Sequence, residues 1–248
     1  MGEKTVQCSL FKRVKRWIKP DTYYDHGNIL LTREKVIYFP IAKVACSSIK
    51  KICADLLGLD YDRNDLDDSV HEQNFPFVRR RRILKPAYEE YLKFAFVRNP
   101  WDRLFSCYKS KVLQDPAEYV RGFTDGVLDG LLECSDRFHA GMSFADFVYT
   151  VMEIDDRYAD EHFRSQYLTI YDREGRLLVN YLGYFEELNR DWQYIADWIG
   201  QGNQLPRLMK SRSGSYLDHY TPELVEMVGR RFEADVELFG YVFPADGR

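Results

Sequence analysis

Apolar residues first gather at 9–19, SLFKRVKRWIK, where Leu10, Phe11, Val14, Trp17 and Ile18 share one helical face and Lys12, Arg13, Lys15, Arg16 and Lys19 the other. The spacing predicts a short basic amphipathic helix ending before Pro20. Residues 28–39, NILLTREKVIYF, carry two apolar segments either side of 32–35 and predict a hairpin. The second segment, 36–39, is apolar without a break, as in a strand buried on both faces. After PIAKVACSS comes the helical pattern IKKICADLLG, which stops at Gly58. Strand, loop and helix in that order open an α/β phosphate-binding unit.

Residues 58–70 are acidic and irregular, which reads as a surface loop. KFAFV at 93–97 predicts a second buried strand, and WDRLFSCYKSKVL a helix with Asn99 as N-cap and Pro100 as first helical residue. Further helical patterns lie near 143–153, 186–199 and 221–238, while LTIYDREGRLLVNYLG reads as a hairpin turning at 172–175. No internal repeat, low-complexity tract or linker interrupts the chain. The expected organisation is a basic segment at 1–20 followed by a single domain at 21–248.

Composition narrows the class. With 248 residues, 45% hydrophobic and 30% charged, the chain is neither disordered nor collagen-like nor a disulfide-dense miniprotein. Aromatic residues reach 15%, a share that fills a core more readily than it lines a sugar groove. The net charge of −4 conceals +5 in residues 1–20, leaving −9 elsewhere, which argues against a nucleic-acid binder. Five scattered cysteines without a C-x-x-C pair are expected as reduced thiols, with neither zinc site nor disulfide framework. No signal-peptide pattern and no apolar run of about 20 residues occurs, so a soluble cytoplasmic protein is expected. The helix at 9–19 can lie on an anionic membrane, dock on the protein or stay disordered; the three remain open.

Two segments carry candidate chemistry. In the loop 40–48, small residues let the backbone approach an anion, the following helix presents its N–H groups, and Lys43 can reach a leaving-group oxygen. Ser47 and Ser48 can cap that helix or bond phosphate oxygens. The loop lacks the glycines and lysine position of a Walker A motif, and alone it also fits an ordinary turn with a solvated lysine. The second segment ends a strand in Arg98 and places Ser106 two helical turns beyond Asn99. An arginine there, where a nucleotide hydrolase carries a metal-binding aspartate, favours an extra phosphate and no metal.

KFAFVRNPWDRLFSCYKSKV resembles the 3′-phosphate motif of carbohydrate sulfotransferases that use PAPS (3′-phosphoadenosine 5′-phosphosulfate), and PIAKVACSSIKK resembles their 5′-phosphosulfate loop. EHFRSQYL, LGYFEEL and the terminal YLDHYTPELVEMVGRRFEADVELFGYVF resemble later blocks, so the likeness to this chondroitin and dermatan type of sulfotransferase family 2 spans 28–243. The resemblance implies an α/β fold with a P-loop-like parallel sheet flanked by helices. It implies that Lys43, Val44, Ala45, Cys46, Ser47 and Ser48 cradle the phosphosulfate, that Lys43 stabilises the leaving phosphate, and that Arg98 with Ser106 holds the 3′-phosphate.

His71, between the two motifs, is the first candidate base, and His162 resembles a characteristic histidine of the family. His26, His139 and His219 are expected in structural or surface roles, and Cys46 and Cys107 as packing residues. The run Arg79–Arg82 is a solvated face or a groove for an acidic glycan, and Lys210, Arg212 and Ser213 resemble a basic loop that closes over the nucleotide. Golgi members carry an anchor, a stem and paired cysteines not found here, which implies a bacterial-type cytosolic enzyme. Its acceptor is then a carbohydrate, lipid-linked or acidic, made in the cytoplasm or at the inner membrane face. A small-metabolite acceptor, a Mg²⁺-dependent P-loop kinase and a non-catalytic glycan-binding module remain alternatives.

Overall fold

The structure is a computed structural model that describes residues 27–62, 68–113, 115–116, 120–201 and 215–244. The basic segment at 9–19, His26 and the stretch holding Lys210, Arg212 and Ser213 lie outside the described residues. The principal elements run β1 (Asn28–Leu31), β2 (Val36–Tyr38), α1 (Cys46–Leu57), β3 (Phe77–Val78), β4 (Leu92–Val97), α2 (Pro100–Lys111), α3 (Phe144–Met152), β5 (Tyr181–Tyr184), α4 (Leu188–Ile199), α5 (Pro222–Arg231) and α6 (Glu233–Phe239). They fall into two compact units, one from 27–98 and 168–201, the other from 99–167 and 215–244.

The first unit is a five-stranded sheet in the order β3-β1-β2-β4-β5 with helices packed on it. β1 and β2 form the expected hairpin, antiparallel with Ile29 opposite Tyr38, because a short turn permits no other return. β2, β4 and β5 are parallel, so the expected parallel sheet occupies the centre and β1 and β3 extend it as an antiparallel edge. All six residues of β4 are buried, Lys93 included, in keeping with the apolar run 94–97. Phe94 stacks on Tyr38 at 4.9 Å and meets Trp192 of α4 at 6.5 Å. Opposite Phe96 sits Gly183, where a Cβ would come within 2.4 Å of the Phe96 ring.

The stretch 168–183 departs from the expected hairpin. The turn at 172–175 is present, with Gly175 at φ 79°, but only Tyr171 and Leu177 pair across it. Asp172 closes the turn by accepting from the backbone N–H groups of Glu174 and Arg176. Before it lies one helical turn, Tyr167–Ile170, and after it β5 leaves to join β4 in parallel. The Phe94–Trp192 layer rewards that partner more than a local hairpin would.

The second unit is helical, with an aromatic core that includes Trp101, Phe105, Tyr108, Phe144, Phe147, Phe163 and Phe232. These rings are core, as expected, whereas Tyr149 and Tyr158 of the same unit are exposed. Tyr108 also satisfies its hydroxyl by donating to the Met142 carbonyl at 2.8 Å. The helix expected over 221–238 is two, broken at Phe232, whose ring is buried. Among the described residues, no helix is long and apolar enough to cross a membrane.

Candidate functional site

β2 delivers the chain to the candidate loop. Phe39 extends the pairing by donating its N–H to the Phe94 carbonyl at 2.9 Å, and the chain then leaves the sheet at Pro40. Ile41 and Val44 are buried and anchor the loop on the core, while Lys43 and Ala45 between and beyond them are half-buried. Lys43 and Ala45 both take left-handed backbone, at φ 67° and 55°. Left-handed positions interrupting a turn direct successive N–H groups into a concavity suited to an anion. For residues with a Cβ this conformation costs about 1–2 kcal/mol each, so the surrounding structure must hold it.

Part of that restraint comes from Arg98 at the end of β4. Its Nη1 donates to the Lys43 carbonyl at 3.0 Å, and its guanidinium lies over the Phe185 ring at 4.1 Å. Arg98 is itself buried. The cation is therefore held beside the loop by a flat stacking partner and a fixed acceptor.

α1 follows the loop with Ala45 as N-cap, without a side-chain cap bond and without an acidic residue in its first turn. Ser47 and Ser48 lie inside that turn, so they do not cap it as the sequence allowed. The first-turn N–H groups have no acceptor within the helix, and its positive end is not offset locally by a carboxylate.

His71 ends a one-turn helix, Asp68–His71, and returns to the same place. Its Nε2 lies 3.0 Å from Ser47 Oγ and its Nδ1 2.9 Å from Lys50 Nζ. The structure thus brings together Lys43, Val44, Ala45, Cys46, Ser47, Ser48, His71 and Arg98 within the first unit. Sequence reasoning missed Lys50 and Phe185. Lys50 was detectable, since it shares a helix face with Ser47 at i+3; Phe185 carried no local signal.

Ser106 and His162 belong to the second unit. Ser106 is half-buried on α2, which starts as expected: Asn99 Oδ1 accepts from Trp101 N at 3.1 Å and Pro100 opens the helix. His162 Nδ1 lies 2.6 Å from Asp160 Oδ1. Burial pushes the Asp160 carboxyl up, but hydrogen bonds from the His162 ring and backbone, with the charges of His162 and Arg164, hold it below its ordinary value. Arg103 of α2 is buried and donates to the carbonyls of Arg164 and Glu161, which fixes the segment carrying His162.

The remaining candidates separate by burial. In the arginine run, Arg79, Arg81 and Arg82 are exposed, whereas Arg80 is buried and donates to the carbonyls of Leu168 and Tyr171. His139 is exposed, and His219 stacks on Phe105 at 4.5 Å. Cys107 is buried and Cys46 half-buried, both as free thiols. Among the described residues, no group of three or more His, Cys, Asp or Glu is placed to hold a metal ion.

Comparison with known proteins gives a match to the model of the sulfotransferase family over residues 28–242. Carbohydrate sulfotransferase 12 of Xenopus laevis is 25% identical, over 92% of this chain and 62% of its own length. The mouse (Mus musculus) protein of that name is 27% identical over 86% of this chain and 59% of its own. Carbohydrate sulfotransferase 14 of Mus musculus is 26% identical over 67% and 45%. The chain therefore spans about half to three fifths of these relatives. No solved structure gives a significant match.

Proposed function

The chain belongs to the sulfotransferase family, and on that premise we propose that it moves a sulfuryl group from PAPS to a hydroxyl of a carbohydrate acceptor. The observation that carries this reading is the glycine-free turn with left-handed backbone at Lys43 and Ala45, braced by Arg98 and leading into an uncapped helix. A phosphosulfate fits that cradle: its oxygens need N–H donors and a cation, and no carboxylate of the first helical turn repels them.

In-line transfer places growing negative charge on the bridging oxygen of the leaving phosphate. Lys43, inside the turn, is assigned to that oxygen, and the N–H groups of 44–48 to the oxygens beside it. Arg98 is assigned to the 3′-phosphate; a guanidinium has five N–H donors, so its bond to the Lys43 carbonyl is compatible with that role. Ser106 shares the 3′-phosphate by its motif. The acceptor hydroxyl must also lose a proton, for which His71 and His162 are the candidates. A sulfuryl group carries less charge than a phosphoryl group, so these cations are assigned the task without a metal. The acceptor is proposed to be lipid-linked or acidic and met in the cytoplasm.

A thermal-shift titration with 3′-phosphoadenosine 5′-phosphate, 5′-AMP, and ATP with and without Mg²⁺ tests the reading. A ligand at 100 times its Kd adds about 2.7 kcal/mol of stability if it binds only the folded state. Stabilisation by the bisphosphate, indifferent to Mg²⁺, is expected. Stabilisation by Mg-ATP alone would replace the sulfotransferase with a kinase.

A further inference from the structure

We infer that Lys50, His71 and Ser47 form a one-way hydrogen-bond chain that makes the Ser47 hydroxyl a donor to the anion held at the 40–48 loop. His71 is then the middle link and not the base. The role in anion binding rests on the sulfotransferase reading; the direction of the chain rests on geometry.

An ammonium offers three donors and no acceptor. Lys50 Nζ lies 2.9 Å from His71 Nδ1, so Nδ1 accepts and carries no proton. A neutral imidazole must then hold its proton on Nε2. Nε2 is 3.0 Å from Ser47 Oγ, and the bond runs from histidine to serine. With one lone pair so occupied, the Ser47 proton points away from His71. Ser47 sits in the first turn of α1, where the backbone N–H groups have no acceptor within the helix and can serve the same anion.

The same distances oppose a base. Nε2 already holds a proton, and protonating Nδ1 would set two N–H donors and two positive charges face to face at 2.9 Å. With the Lys50 ammonium in place, Nδ1 is not open to a proton. Lys50 and His71 are thus positioning residues acting through Ser47.

The first test is a long-range proton–nitrogen correlation spectrum of the full chain labelled with ¹⁵N-histidine, at neutral pH. His71 is expected as the Nε2–H tautomer, and Lys50→Met is expected to convert it to a mixture. An Nδ1–H tautomer or an imidazolium in the wild type overturns the inference. The second test measures turnover and calorimetric affinity for 3′-phosphoadenosine 5′-phosphate. Ser47→Ala and His71→Ala should each weaken binding about tenfold, the scale of one charge-assisted hydrogen bond. His71→Gln retains a donor but cannot take a proton, and should recover most of the loss in both affinity and turnover. Recovered affinity with turnover still at the His71→Ala level would make His71 the base. If the wild type binds no bisphosphate, the sulfotransferase reading fails, while the spectrum still decides the tautomer.

Discussion

At the scale of single residues, Lys43 joins two properties that substitution can separate, an ammonium group and a left-handed backbone at φ 67°. Alanine removes the ammonium and keeps the steric cost of that backbone, whereas glycine removes the ammonium and the cost alike. Either change should lower turnover by about 100-fold or more, the usual effect of losing a transition-state donor. Lys43→Gly should nonetheless unfold later than Lys43→Ala, by about 1 kcal/mol, because glycine adopts this backbone without penalty. Steady-state rates and denaturant midpoints check the two halves separately, and wild-type turnover in a folded Lys43→Ala protein would remove the role assigned to it. Lys43 and Arg98 were legible in the sequence because each ends or follows an apolar strand, a local signal. The Phe185 platform and the Lys50–His71 contact were not, since their partners come from distant segments and only the folded sheet brings them together.

At the scale of elements, the strongest constraint is the packing of β4 against β5. Gly183→Ala would place a Cβ within 2.4 Å of the Phe96 ring, against the fully buried strand β4. A loss of about 1–3 kcal/mol in urea unfolding is expected, partly recovered when Phe96→Leu is added to the same chain. The hairpin β1–β2, the strand β4 and the start of α2 followed directly from apolar runs and capping residues. The course of 168–183 did not, because its turn residues specify a reversal and its parallel partner is chosen by packing.

The C-terminal helix shows the same dependence on remote partners. Asp235 of α6 is fully buried and accepts from the backbone N–H groups of Gln166 and Tyr167. Burial outweighs those bonds and pushes its carboxyl from 3.8 up to about 6. Between these values the native state keeps a proton that the unfolded chain has released. The stability contributed by this group is therefore full below 3.8 and lost as the pH rises through about 6. Denaturant titrations across that window should show the wild type losing stability relative to Asp235→Asn as the pH rises, by on the order of 3 kcal/mol. Parallel curves for the two proteins would mean that the carboxyl titrates normally.

At the scale of the whole molecule, charge is distributed unevenly, with +5 in residues 1–20 and −9 in the rest. Sedimentation with anionic vesicles, before and after deletion of 1–19, is the check on what that segment does. Loss of pelleting assigns it to a membrane surface, and unchanged pelleting assigns it elsewhere. The family match is broad, yet the loop at its centre depends on pieces that lie far apart in the chain. Its curvature comes from no glycine and is held by a guanidinium just past the end of β4, itself resting on a ring just past the end of β5. The segment 40–48 is therefore not a portable cassette. Grafted alone into another βα scaffold it should relax to an ordinary turn, and a transplant that preserves its shape must carry the ends of three strands.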